Sequence, residues 1–105
     1  MSVYSISELN KYLKTLLSFD NTLQNIWVKG QIGTFIKASS GHSYFTLRDS
    51  NSTIRCVMFK GAFSGIEELG TGISVVAHGR IAIYEAKGEL QMVVDVIQPE
   101  GVGLI

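Results

Sequence analysis

The chain has 105 residues, 46 % of them hydrophobic and 17 % charged, which is the length of one domain and the composition of a sequence that folds around a core, not of a disordered tail. A single cysteine, Cys56, excludes an intrachain disulfide framework, and with only two histidines, His42 and His78, a Cys/His structural zinc site within the chain is excluded as well. Nine basic and nine acidic side chains cancel, so no overall positive surplus points to a polyanionic partner.

Residues 5–19 have the pattern of one amphipathic helix. Ser5 and Glu8 are spaced as a capping box, and Ile6, Leu9, Leu13, Leu16 and Leu17 recur at helical spacing, with Lys11 and Lys14 off that stripe. The expected role is to cover one end of the domain's own core; a docking helix for a partner is the alternative. After Asp20-Asn21-Thr22 the period switches to two. Ile26, Val28, Gly30 and Ile32 fall on one face, and Trp27, Lys29, Gln31 and Gly33 on the other, until Ala38-Ser39-Ser40-Gly41 turns the chain.

A second strand is expected from His42 to Asp49, with Phe45 and Leu47 opposite Tyr44, Thr46 and Arg48, and a third from Thr53 to Phe59. A short helix is expected over 61–72. Ile73 to Glu85 and Gly88 to Gln98 then form two more strands, joined by a tight turn at Ala86-Lys87-Gly88. This order predicts one mainly-β domain over 1–105, a five-stranded Greek-key barrel of the OB type at about 24–98, with an N-terminal helix and a short helix between strands three and four. An open sandwich is the competing arrangement. Gly30 and Gly79, both mid-strand, mark the expected bends that close a barrel.

The opening Met1-Ser2-Val3-Tyr4-Ser5 has neither the basic region nor the apolar stretch of an export signal. No apolar run reaches the ~18 residues of a membrane span. A cytoplasmic domain with a reduced Cys56 and no membrane partner is expected.

No constellation of catalytic residues stands out. Cys56 lies in a strand pattern with no base beside it, Glu85 and Glu89 flank a hairpin where carboxylates are ordinarily solvated, and no phosphate-binding glycine motif is present. No metal or cofactor is expected. Binding is better supported, because the neutral total hides a polarised chain. Between residues 29 and 60 five cations face one acid, whereas the other four cations are outnumbered by eight acids. An OB barrel binds across strands two and three, between the loops joining strands one to two and four to five. Those elements hold Phe35, Lys37, Ser39, Ser40, His42, Tyr44, Arg48, Arg55, Tyr84 and Lys87. Rings for bases and cations for a backbone are what a single-stranded nucleic acid requires. The acidic surplus is expected elsewhere.

Several blocks also carry a resemblance. Tyr4-Ser5-Ile6-Ser7-Glu8-Leu9-Asn10, Ile26-Trp27-Val28-Lys29-Gly30-Gln31-Ile32, Ser39-Ser40-Gly41-His42-Ser43-Tyr44-Phe45-Thr46-Leu47-Arg48-Asp49 and Ile54-Arg55-Cys56-Val57-Met58-Phe59 resemble bacterial exodeoxyribonuclease VII large subunits. Gly79-Arg80, Tyr84-Glu85, Gly88-Glu89-Leu90-Gln91 and Pro99-Glu100-Gly101-Val102-Gly103 continue the likeness over nearly the whole chain. The resemblance implies an OB domain that binds single-stranded DNA, cut from a longer chain. In that chain a later domain would hydrolyse single strands from either end to oligonucleotides, without added divalent metal. A helical region would recruit several copies of a small subunit. It implies no catalytic residue here and carries DNA binding onto Lys37, Ser39, Ser40, His42, Tyr44, Arg48 and Arg55. Ala38 stands where a stiffening residue such as proline is expected of relatives, a change expected to loosen the loop. Two other readings remain open: a tRNA anticodon-binding barrel of an aminoacyl-tRNA synthetase, and a protein-docking barrel using Trp27, Phe35 and the helix.

Overall fold

The capping box forms as its spacing predicts. In the computed structural model, which describes residues 1–61 and 70–101, the Ser5 hydroxyl accepts from the Glu8 N–H at 3.0 Å and the Ser5 N–H donates to Glu8 Oε1 at 2.9 Å. These two bonds start helix α1 (Ile6–Phe19), and the Ser5 N–H, followed by the Ser5 hydroxyl, holds the Glu8 carboxyl below its usual range. The helix rests on the barrel but does not close it. None of its residues is fully buried and none belongs to the core; of the apolar stripe Ile6, Leu9, Leu13 and Leu16 are exposed and Leu17 is half-buried. The expectation that α1 covers the core is therefore corrected.

Five strands follow: β1 (Ile26–Lys37), β2 (Ser43–Arg48), β3 (Thr53–Met58), β4 (Ser74–Tyr84) and β5 (Glu89–Pro99). They close a barrel in the order β1-β2-β3-β5-β4, with β4 returning to β1. Every pairing is antiparallel except β3 with β5. This is the OB arrangement the element order predicts, and an open sandwich is excluded. The short helix expected over 61–72 falls largely on 62–69, outside the described residues.

Alternation places Ile32, Phe45, Leu47, Cys56, Val75, Ala77, Met92, Val94 and Ile97 in one buried cluster. Each larger aliphatic among them stabilises the fold by about 1.5–3 kcal/mol through removal from water. Barrel closure needs bends, and two occur. The β4–β5 register shifts between His78 and Gly79, as the mid-strand glycine predicts. In β1 the irregularity lies between Ile32 and Phe35, past Gly30. At Gly30 a side chain would press on the Arg48 carbonyl at 3.0 Å, so glycine there serves close strand approach.

Candidate nucleic-acid interface

Period-two alternation sends Tyr44, Thr46 and Arg48 outward from β2, and Arg55 of β3 pairs with Thr46 on that same outer face. Ile36 of β1 lies opposite Tyr44. Beyond β3 rises the β4–β5 hairpin, where Tyr84 pairs with Glu89. Its turn is closed by the Lys87 and Gly88 N–H groups donating to the Tyr84 carbonyl at 3.1 and 2.8 Å, with Gly88 at φ +65°. Between these walls runs a groove of about 530 Å³. Tyr44, Arg55, Tyr84 and Lys87 all line it, so four of the residues expected at the site meet in one place.

Helix α1 fixes the outer wall. Asn10 Nδ2 donates to the Glu85 carbonyl at 3.0 Å, Lys14 Nζ lies 3.4 Å from Glu85 Oε1, and a side chain at Gly88 would press on the Asn10 amide. The helix thus props the hairpin that carries Tyr84 and Lys87. Glu85 and Glu89, expected to be merely solvated, both hold cations: Glu89 Oε2 accepts from Arg55 Nη1 at 2.8 Å across the groove. An acid therefore stands inside the site, and the expected separation of basic and acidic surfaces does not hold there.

The loop after β1 has its own scaffold. The Ala38 N–H donates to the His42 carbonyl and the Gly41 N–H to the Ala38 carbonyl, both at 2.9 Å, with Gly41 at φ +93°. His42 Nδ1 accepts from the Lys60 N–H at 2.8 Å, and its ring meets Phe59 edge-on at 5.2 Å. His42 therefore pins the loop to the end of β3. Proline at position 38 would have no N–H to make that first bond, which the alanine supplies. Ser39 and Ser40 are exposed on this turn, and Lys37 is exposed just before it.

Lys37, at the end of β1, and Ser39, Ser40 and His42 of this loop are not among the residues lining the groove, and the other two expected residues lie elsewhere. Phe35 pairs with Phe45 and packs against the core instead of opening onto the groove. Without it, the docking patch imagined from Trp27, Phe35 and the helix loses one member. Arg48 shares the outer face of β2 but lies at its far end, in a shallow depression with Lys29, Asp49 and Thr53. Ile36, Glu89, Leu90 and Gln91, which the sequence does not mark as site residues, also line the groove. Ile36 could have been found through Gly33, the mark of a break in alternation.

Burial pushes the Cys56 thiol up to about 12, far from its reactive range. Among the described residues no group of His, Cys, Asp or Glu is arranged to hold a metal ion, and no helix is long and apolar enough to cross a membrane. The geometry suits stacking and ion pairing with a ligand that brings flat rings and negative charge.

Comparison with known proteins agrees with that chemistry. The exodeoxyribonuclease 7 large subunit of Alkaliphilus oremlandii is 44 % identical over 102 residues, 96 % of this chain and 25 % of that protein. The subunit of Moorella thermoacetica is 44 % identical over 105 residues, 99 % of this chain and 26 % of that protein. The chain thus spans about a quarter of the length of these homologues. Among solved structures, a replication protein A heterotrimer bound to ssDNA superposes with a TM-score of 0.62 at 10 % identity, covering 73 % of this chain and 57 % of that one. The asparaginyl-tRNA synthetase of Entamoeba histolytica gives 0.64 at 22 % identity, covering 84 % and 23 %. Both likenesses concern the fold alone. The family model that spans residues 4–98 describes an OB-fold nucleic acid binding domain, and with the closed barrel and its ring-lined groove the chain belongs to that family.

Proposed function

We propose that this barrel binds single-stranded DNA in the groove between β2–β3 and the β4–β5 hairpin, and delivers it to a nuclease region in the longer protein of which it is a part. The observation that carries this reading is the convergence of Tyr44, Tyr84, Arg55 and Lys87 on one groove. Rings supply stacking surface that any base can use, Arg55 offers N–H donors, and cations such as Lys87 and Arg48 hold the backbone. The names of the homologues, exodeoxyribonuclease 7 large subunits, support DNA as the polymer and hydrolysis as the parent protein's reaction. The barrel itself binds without cutting. Assembly with several small subunits would use the parent protein's remaining three quarters, and the whole complex would work in the cytoplasm.

Fluorescence anisotropy of a labelled oligodeoxynucleotide at several salt concentrations tests the proposal. Neutralising three to five phosphates gives a log affinity slope of roughly −2 to −3.5 against log salt. Failure to bind at low salt, or displacement of the DNA by far lower concentrations of an anticodon stem-loop RNA, would overturn it.

A further inference from the structure

Arg55 occupies the place of a phosphate clamp, yet Glu89 already satisfies it. With the carboxylate 2.8 Å from the guanidinium, the pair has no net charge to attract a phosphate, and Glu89 by itself repels one. The pair retains hydrogen-bonding capacity. A guanidinium carries five N–H donors, of which the contact with Glu89 engages Nη1, while a carboxylate has about four acceptor positions. Both side chains face the groove, 71 % and 42 % exposed. Around them stand Ile36, Tyr44, Tyr84 and Leu90, each exposed and able to lie against a flat ring. This part of the groove is suited to a base, with the backbone carried along the rim.

We propose that the Arg55–Glu89 pair reads the edge of a base and selects cytosine over uracil or thymine. Cytosine presents an N4–H₂ donor beside the N3 and O2 acceptors, which matches a carboxylate beside guanidinium donors. Uracil presents O4 where cytosine has its amino group, setting two acceptors against each other. Its only edge donor, N3–H, is flanked by carbonyls, so one of them then faces the carboxylate. A site built to pair with a polar group rejects an analogue that leaves its own groups unpaired. The inference rests on the single-strand reading above and adds a sequence preference to it.

The test compares labelled (dC)n and (dU)n of about 15 nucleotides, within the site sizes of OB folds, at one low salt concentration near neutral pH. Deoxyuridine replaces thymidine so that the thymine methyl does not contribute. The expected result is tighter binding of (dC)n by about tenfold. Glu89→Gln, whose amide can turn its N–H₂ toward O4, should bring the two affinities together. Equal affinities in the unaltered protein, or an unchanged preference in Glu89→Gln, would overturn the inference while leaving single-strand binding in place. Binding of neither oligomer would overturn the single-strand reading and this inference with it.

Discussion

Phe35 and Phe45 face each other across β1 and β2 on the core side of the barrel, while their neighbours Ile36 and Tyr44 pair on the outer side. One residue along each strand thus separates packing from binding. Phe35→Ala should cost on the order of 2 kcal/mol of stability, less than a fully buried phenylalanine because Phe35 is only partly buried. Its DNA affinity, measured well below the melting temperature, should be nearly unchanged. Tyr44→Ala should do the reverse, weakening binding by about 1–3 kcal/mol with stability within about 0.5 kcal/mol of the parent. Urea titration and anisotropy on the two variants check both halves.

The two arginines of the outer face should behave differently in salt. Arg48 has no ion pair or hydrogen bond from its side chain among the described residues, whereas Arg55 is held by Glu89. Arg48→Ala should flatten the salt slope by about 0.7, the share of one lost phosphate contact on a single strand. Removing the neutral pair together, Arg55→Ala with Glu89→Ala, should lower affinity through lost contacts yet leave the slope as it was, because no net charge is lost. From the sequence alone both arginines are equivalent phosphate ligands, worth about 1.4 in slope together. Flattening by the double variant equal to that of Arg48→Ala would put Arg55 back on a phosphate.

What the sequence could show follows from where its signals are local. The capping box, the period-two strands and the hairpin turn depend on near neighbours, and each formed where it was expected. The face on which Phe35 lies depends on counting alternate residues through Gly33 and Thr34. One extra residue in a bulge reverses every assignment after it. The Arg55–Glu89 contact joins strands far apart in sequence, paired in parallel, so no local pattern announces it. Helix α1 misled for a different reason: an apolar stripe shows that a face is suited to burial, not that this barrel buries it.

Cys56 gives a pH-dependent expectation with a definite sign. Burial raises its folded-state thiol from 9.0 to about 12, so the folded protein holds this proton more tightly than the unfolded chain does. The stabilisation is fully present below pH 9 and is lost as pH rises from there toward 12. Over that window the parent should lose stability relative to Cys56→Ala by up to about 1.4 kcal/mol per pH unit. Urea titrations of both proteins across the range measure the difference, which cancels the lysines and tyrosines common to the two. Parallel pH profiles would mean that the thiol is not desolvated.

The two bends of the barrel should respond differently to an added methyl group. At Gly79 a Cβ would collide with the Val93 carbonyl and press on Val94 Cα, both backbone atoms of the paired strand. No rotation can relieve that contact, so Gly79→Ala should cost about 3 kcal/mol or more. At Gly33 the collision is with the Thr46 hydroxyl, whereas Thr46 Cβ lies at an ordinary 3.5 Å. A turn of the threonine about χ1 moves the hydroxyl away at a cost of about 1 kcal/mol. Gly33→Ala should therefore be mild, and adding Thr46→Ala should remove most of its cost, a coupling that a double-mutant cycle reads directly. Equal losses at the two glycines, or strict additivity of Gly33→Ala with Thr46→Ala, would contradict the close approaches that shape the barrel at its two bends.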